Sequence, residues 1–133
     1  MSASKNSAVA LAILLAFATA IIMKLFCFDF IITEGRSMSP AIENGSLLLV
    51  NKLAFGLRPP FSYVYILRWA KPRKGDIVVF WTPLGDLAVK RCAELTGDDR
   101  FIALGDNEPD SFDSRSYGPV PVDNIVGKAM GIK

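Results

Sequence analysis

The sequence predicts a mainly β domain behind one N-terminal transmembrane helix, and three observations carry that reading. Residues Ala8 to Phe28 form an apolar stretch whose only charge is Lys24, close to its end. After Thr33 the chain changes to short apolar runs closed by turn formers such as Asn44-Gly45 and Lys74-Gly75. No later segment sustains a 3.6-residue apolar period long enough to build a helix of consequence.

The apolar stretch comes first. Of its 21 residues, eleven are Val, Leu, Ile or Phe. At about −0.3 to −0.6 kcal/mol each, their insertion gains roughly 3 to 7 kcal/mol, and a lysine near the interface snorkels at little cost. A helix of this length spans about 30 Å, the thickness of the hydrocarbon layer. Phe26, Phe28 and Phe30 then fall where the bilayer meets water. The competing reading is a cleaved secretory signal, because Ala16-Phe17-Ala18 and Ala18-Thr19-Ala20 have the small-x-small form that ends one. Apolar residues continue well past Ala20, which favours an anchor. Residues 1–30 are therefore read as the membrane anchor, spanning at about 8–28, and residues 31–133 as the working domain.

In that domain Ser46 to Val50, Ile77 to Trp81, Leu87 to Val89, Phe101 to Leu104 and Ile125 to Val126 read as strands. They are separated by Arg58-Pro59-Pro60, Pro83-Leu84-Gly85, Gly97-Asp98 and Gly105-Asp106-Asn107 besides the turns above. Residues 53–73 are a hairpin or loop: Phe61 to Trp69 has the aromatic and β-branched content of a strand, yet it is flanked by prolines and carries Arg68.

Composition excludes several kinds of function. The net charge of +2 comes from 15 Lys and Arg against 13 Asp and Glu without a basic block, so nucleic acid has no electrostatic footprint to bind. Cys27 and Cys92 lack a CxxC spacing and do not make a disulfide framework. There is no histidine. A Ser-His-Asp triad, a Cys-His pair and an HExxH zinc site are thereby excluded within this chain, and any hydrolysis falls to carboxylates, lysine or tyrosine.

Three segments hold polar residues without an evident core role. In Gly35-Arg36-Ser37-Met38-Ser39-Pro40 a glycine and a proline bracket a serine, which alone is ordinary turn chemistry. In Asp86-Leu87-Ala88-Val89-Lys90-Arg91, strand alternation puts Lys90 on one face and Arg91 on the other, so one of two adjacent cations shares a face with small apolar neighbours. Its bland reading is a solvated lysine. The run from Gly105 to Arg115 is dense in turn formers, and Asp113 and Arg115 stand two apart, where they can pair.

Together, Ser37-Met38-Ser39-Pro40, Gly75-Asp76-Ile77-Val78-Val79-Phe80, Lys90-Arg91, Gly105-Asp106-Asn107 through Ser111, Asp113-Ser114-Arg115 and Gly118-Pro119-Val120-Pro121 closely resemble the ordered boxes of type I signal peptidases. The boxes follow the family's order over residues 30–129. The resemblance implies a small coiled β-sheet catalytic domain with serine endopeptidase activity, removing signal peptides after a small-x-small motif without metal or cofactor. By family analogy Ser37 is the nucleophile and Lys90 the general base. Ser111 holds the Lys90 amine, the Asp113–Arg115 pair braces the site, and Met38 and Pro40 support it. An extended substrate lies between the segment before Ser37 and the strand leading to Lys90, with Ile31, Ile42, Val79 and Val89 shaping shallow pockets. Gly35 stands where some members carry an oxyanion-binding serine, so backbone N–H groups, Ser37's own included, take over that work. Only fourteen residues separate Lys90 from Gly105, where larger members insert a subdomain.

The chemistry fits the residue types. A serine hydroxyl needs a base, and lysine serves only when neutral. At its ordinary pKa of about 10.4 only about 0.04 % is neutral at pH 7. Burial among apolar groups such as Leu87, Ala88 and Val89 disfavours the ammonium and raises that fraction. The implied partners are preproteins with signal peptides and membrane lipid, with no nucleic acid. The implied location is the plasma (inner) membrane, single-pass, with the catalytic domain on the outer face, or alternatively the mitochondrial inner membrane. Two other readings compete: a LexA-like self-cleaving Ser-Lys protein, and a non-catalytic membrane-anchored β-domain that binds protein.

Overall fold

A computed structural model describes residues 2–131. The helix α1 (Ser2–Ile22) runs into a π-type turn (Met23–Cys27), and together they are long and apolar enough to cross a membrane, with none of their most apolar window buried against the protein. Such a helix gains nothing from water, because its apolar side chains point outward all round.

The chain leaves the helix directly as β1 (Phe28–Ile32), followed by β2 (Leu47–Asn51), β3 (Gly56–Leu57), β4 (Leu67–Arg68), β5 (Ile77–Trp81), β6 (Leu87–Thr96) and β7 (Arg100–Leu104). A one-turn helix α2 (Ser114–Tyr117) precedes β8 (Val120–Pro121) and β9 (Ile125–Gly131). Seven strands make one antiparallel sheet in the order β1-β2-β9-β5-β6-β7-β8, while β3 and β4 pair with each other as a separate hairpin. The expected fold class, mainly β with one N-terminal apolar helix, is the one observed. β5 has the expected bounds; β6 and β9 extend well past theirs, and residues 53–73 contain the hairpin. β1 begins inside the segment read as anchor: its Phe and Ile residues continue the apolar run of the helix despite Asp29.

The sheet is buried on both faces, so alternation along a strand separates two cores instead of core from solvent. On β5, Val78 and Phe80 face a cluster with Phe55, Phe101, Val120, Val122 and Ile125. Ile77 faces the other way and packs with Val89, Ile31 and Ala129 around Met38, Ile42 and Leu48. Phe80 and Phe101 meet edge to face at 5.3 Å between centroids, the arrangement aromatic rings prefer. Two irregularities bend the sheet. The β6–β7 register shifts between Cys92 and Glu94, and the β5–β9 register between Val79 and Phe80. Bulges increase local twist, and here they curl the sheet so that the loop after β1 reaches over β6. At Gly127 a Cβ would stand 2.6 Å from the Asn51 carbonyl oxygen, so only glycine lets β9 lie this close to β2.

Candidate active site

Lys90 lies in the middle of β6, paired with Val78 of β5, and is only 6 % exposed. Burial lowers the pKa of its amine from the ordinary lysine value; the charge of Asp113 partly opposes this and that of Arg115 reinforces it. Its one hydrogen-bond partner among the described residues is Ser37 Oγ, at 2.6 Å across 53 positions of sequence. The expected solvent-facing alternative for Lys90 does not occur. Arg91, on the other face, reaches Asp106 with two bonds of 2.9 and 2.7 Å.

The loop after β1 holds Ser37 rigidly. Gly35 has φ +87°, a conformation that glycine adopts without strain, and its N–H donates to Asn44 Oδ1 at 2.8 Å. Just past the serine, Met38 and Ile42 are buried in the second core, and Pro40 follows on an exposed turn. From the other side Asn107 donates its backbone N–H to the Ser37 carbonyl at 2.9 Å and its side-chain amide to the Arg36 carbonyl at 3.0 Å. Gly105 permits this closeness: a Cβ there would overlap Ser111 Oγ and lie 2.7 Å from the Ser37 carbonyl oxygen. The turn signals at residues 105–107 were visible in the sequence, but their task of clamping the serine loop was not, because it is defined only by contact with residues about seventy positions away.

Asp113 is the hub of this clamp. It is wholly buried, and every bond its carboxylate makes is an accepted one. Oδ2 accepts from the Gly105 N–H at 2.8 Å, Ser111 Oγ at 2.6 Å and Arg115 Nη2 at 2.6 Å, and Oδ1 accepts from Arg115 Nε and N–H at 3.0 and 3.1 Å. Burial alone would raise its pKa; the bonds from Arg115, Gly105 and Ser111 outweigh it and hold the carboxyl well below the usual range. Ser111 therefore differs from the expectation. Its hydroxyl donates to Asp113 Oδ2, and among the described residues no hydrogen bond joins it to the Lys90 amine.

Beside Ser37 and Lys90 runs a cleft of ≈ 280 Å³, walled by residues 31–35 on one side and 87–90 on the other, with Met38 and Ile42 between them. Ile31, Gly35, Ile42 and Val89 border it. Val79 does not: it stands beside Val89 as its cross-strand partner on β5 and is buried. Glu34 lines the cleft without having been singled out, and Leu87 and Ala88, expected as apolar neighbours of Lys90, line it as well. Both walls are strand edges, since β1 pairs only with β2, and β7 joins β6 only from Arg91 onward. Among the described residues no cluster of His, Cys, Asp or Glu is arranged to hold a metal ion.

The chain matches the family described as signal peptidase, peptidase S26, over residues 6–100 and 98–132. It is similar to signal peptidase I of Bacillus caldolyticus, 28 % identical over 147 positions covering 80 % of this chain and 79 % of that one. Signal peptidase I of Leptolyngbya laminosa is 26 % identical, with 72 % of this chain and 64 % of that one covered. Against signal peptidase I of Buchnera aphidicola subsp. Baizongia pistaciae the identity is 39 % over 80 residues, which cover 59 % of this chain and only 26 % of that longer one.

Proposed function

Because the chain belongs to the signal peptidase family, peptidase S26, we propose that it removes N-terminal signal peptides from translocated preproteins as a membrane-bound serine endopeptidase. In this reading Ser37 is the nucleophile and Lys90 the general base. The observation that carries it is a buried lysine amine, of lowered pKa, hydrogen-bonded at 2.6 Å to a serine hydroxyl at the side of a cleft.

The neutral amine takes the Ser37 proton as Oγ attacks the scissile carbonyl carbon. The protonated amine then gives that proton to the departing amine, and a water activated by the same lysine hydrolyses the acyl-enzyme. The developing oxyanion is met by backbone N–H groups at Ser37, with Gly35 leaving room. An extended substrate adds main-chain bonds to the two free strand edges, as in strand addition generally, and the small volume between Ile31, Ile42 and Val89 suits small side chains. Asp113, Arg115 and Ser111 brace the loop geometry, and the charges of Asp113 and Arg115 act on the lysine in opposite senses. A substrate tethered in the same bilayer is held at high effective concentration, so a weakly bound alanine motif suffices. The plasma membrane, with the domain on the outer face, is the proposed location.

The test is to incubate the detergent-solubilised full chain with a preprotein and to sequence the new N-terminus. Cleavage after a small-x-small motif that Ser37→Ala abolishes is expected; cleavage that survives Ser37→Ala would overturn the assignment.

A further inference from the structure

The cleft carries one charge that the chemistry above does not use. Of the described residues along its walls, only Lys90 and Glu34 bear a charge. Lys90 is buried against Ser37, whereas Glu34 is exposed. Asp76, Asp99, Asp106 and Asp113 each hold a cation within 3.1 Å. Among the described residues no cation pairs with the Glu34 carboxylate. Nor does Glu34 tune the base, since the charges that shift Lys90 are those of Asp113 and Arg115.

The backbone fixes where Glu34 stands. β1 continues its pairing through Thr33, whose N–H donates to the Ser46 carbonyl at 2.9 Å and whose carbonyl accepts from the Gly45 N–H at 2.8 Å. Two residues on, the Gly35 N–H donates to Asn44 Oδ1 at 2.8 Å. Glu34 is pinned between these bonds. With both backbone groups of Thr33 turned toward β2, those of Ile32 and Glu34 face the free edge, where a substrate strand pairs. Side chains alternate as well. Ile31 packs into the core around Met38, Ile42 and Leu48, so Ile32, 69 % exposed, and Glu34 lie on the opposite side. On the facing wall Val89 joins the same core as Ile31, while Ala88 lies on the other side, against the cluster around Phe80.

A substrate strand between the two walls alternates in the same way. Its two small residues turn toward Ile31, Ile42 and Val89, and the residue between them turns the other way, to the side of Glu34 and Ala88. Directly opposed side chains on one face of a sheet stand about 4.5–5.5 Å apart at Cβ and diagonal ones about 7–8 Å, within reach of a long side chain. Ala88 leaves room there and brings no charge. We infer that Glu34 is a specificity-determining residue, a charge filter that favours lysine or arginine at the middle position of the small-x-small motif and disfavours aspartate or glutamate. The inference rests on the endopeptidase reading and supplies the chemistry of the one motif position that reading leaves open.

Three forms of one preprotein, with Lys, Gln or Glu at the middle position, provide the test against the full chain in detergent. Wild type is expected to cut them in the order Lys, Gln, Glu, with kcat/KM about tenfold higher for Lys than for Glu, the sum of one attraction and one repulsion between surface charges. Sodium chloride at about 1 M should remove most of that ratio. In Glu34→Gln the ratio is expected to fall to about one, and in Glu34→Lys to invert. Each variant is compared with itself across the three substrates, so a general loss of activity cancels. Equal cutting of all three by wild type would overturn the filter alone, as would a Lys-to-Glu ratio that persists in Glu34→Gln. Failure of wild type to cut any of the three would overturn the endopeptidase reading and the filter with it.

Discussion

Replacing Asp113 by asparagine probes the clamp with almost no change of shape. The carboxylate makes five accepted hydrogen bonds, three at Oδ2 and two at Oδ1. An asparagine presents one acceptor and one NH2 group, so one orientation sets two donors against donors and the other three. With the amide nitrogen at the Oδ1 side, the Arg115 N–H and Nε lose their acceptor; with it at the Oδ2 side, the buried Gly105 N–H, Ser111 Oγ and Arg115 Nη2 lose theirs. An unsatisfied buried donor costs about 1–3 kcal/mol, and removing one charge of a buried pair about 3–5 kcal/mol. Because the arginine side is partly exposed, the lower end applies, about 3 kcal/mol. For a domain of roughly a hundred residues, at about 4–8 °C per kcal/mol, the melting temperature falls by at least about 10 °C. The assay is thermal unfolding of the full chain in detergent, followed by near-ultraviolet circular dichroism at neutral and acid pH. The sign of the pH effect is set by the depressed folded-state pKa: the stabilisation is complete above the unfolded value of about 4 and is lost as pH falls below it. The gap between wild type and Asp113→Asn should therefore narrow in acid. A variant melting within about 2 °C of wild type at pH 7 would refute the bracing role.

Ser37→Ala and Lys90→Ala should each abolish preprotein cleavage, with the double variant no worse than either, since the pair acts as a unit; Lys90→Arg should be equally inactive, because an arginine stays charged. Cleavage should rise with pH along a limb below the 10.4 of free lysine, as burial lowers the folded-state value. That same shift costs stability below the folded pKa, a cost that fades as pH rises toward the unfolded value, so Lys90→Met should be inactive yet at least as stable as wild type at pH 7; a clear drop in its melting temperature would make Lys90 a structural cation. Gly105→Ala should push the Ser37 loop away through its carbonyl, lowering kcat on the order of a hundredfold and stability by about 1–3 kcal/mol; wild-type kcat would show that the clamp does not set the serine's position.

The features legible in the sequence are those whose physics is local. The membrane span follows from transfer energies that add residue by residue along one helix, and the turns at Gly45, Gly75 and Gly85, all with positive φ, follow from the freedom of glycine itself. β5 was readable for a similar reason: its apolar run is bounded by turn formers on both sides. Where partners are remote, local rules lose their hold. Alternation correctly separated Lys90 from Arg91, but in a sheet buried on both faces it could not say that Val79 is buried away from the cleft while its cross-strand partner Val89 borders it. Nor could it show that β1 begins at Phe28, since strand pairing with β2 depends on Leu47 to Asn51 and not on its own composition. Resemblance of motif assigned Ser111 to the lysine, whereas in three dimensions its hydroxyl donates to Asp113 and the lysine's amine bonds Ser37. The residue types able to do the chemistry were determined by the sequence; that Ser37 and Lys90 stand 2.6 Å apart was decided by a curled sheet and a glycine without a Cβ at position 105.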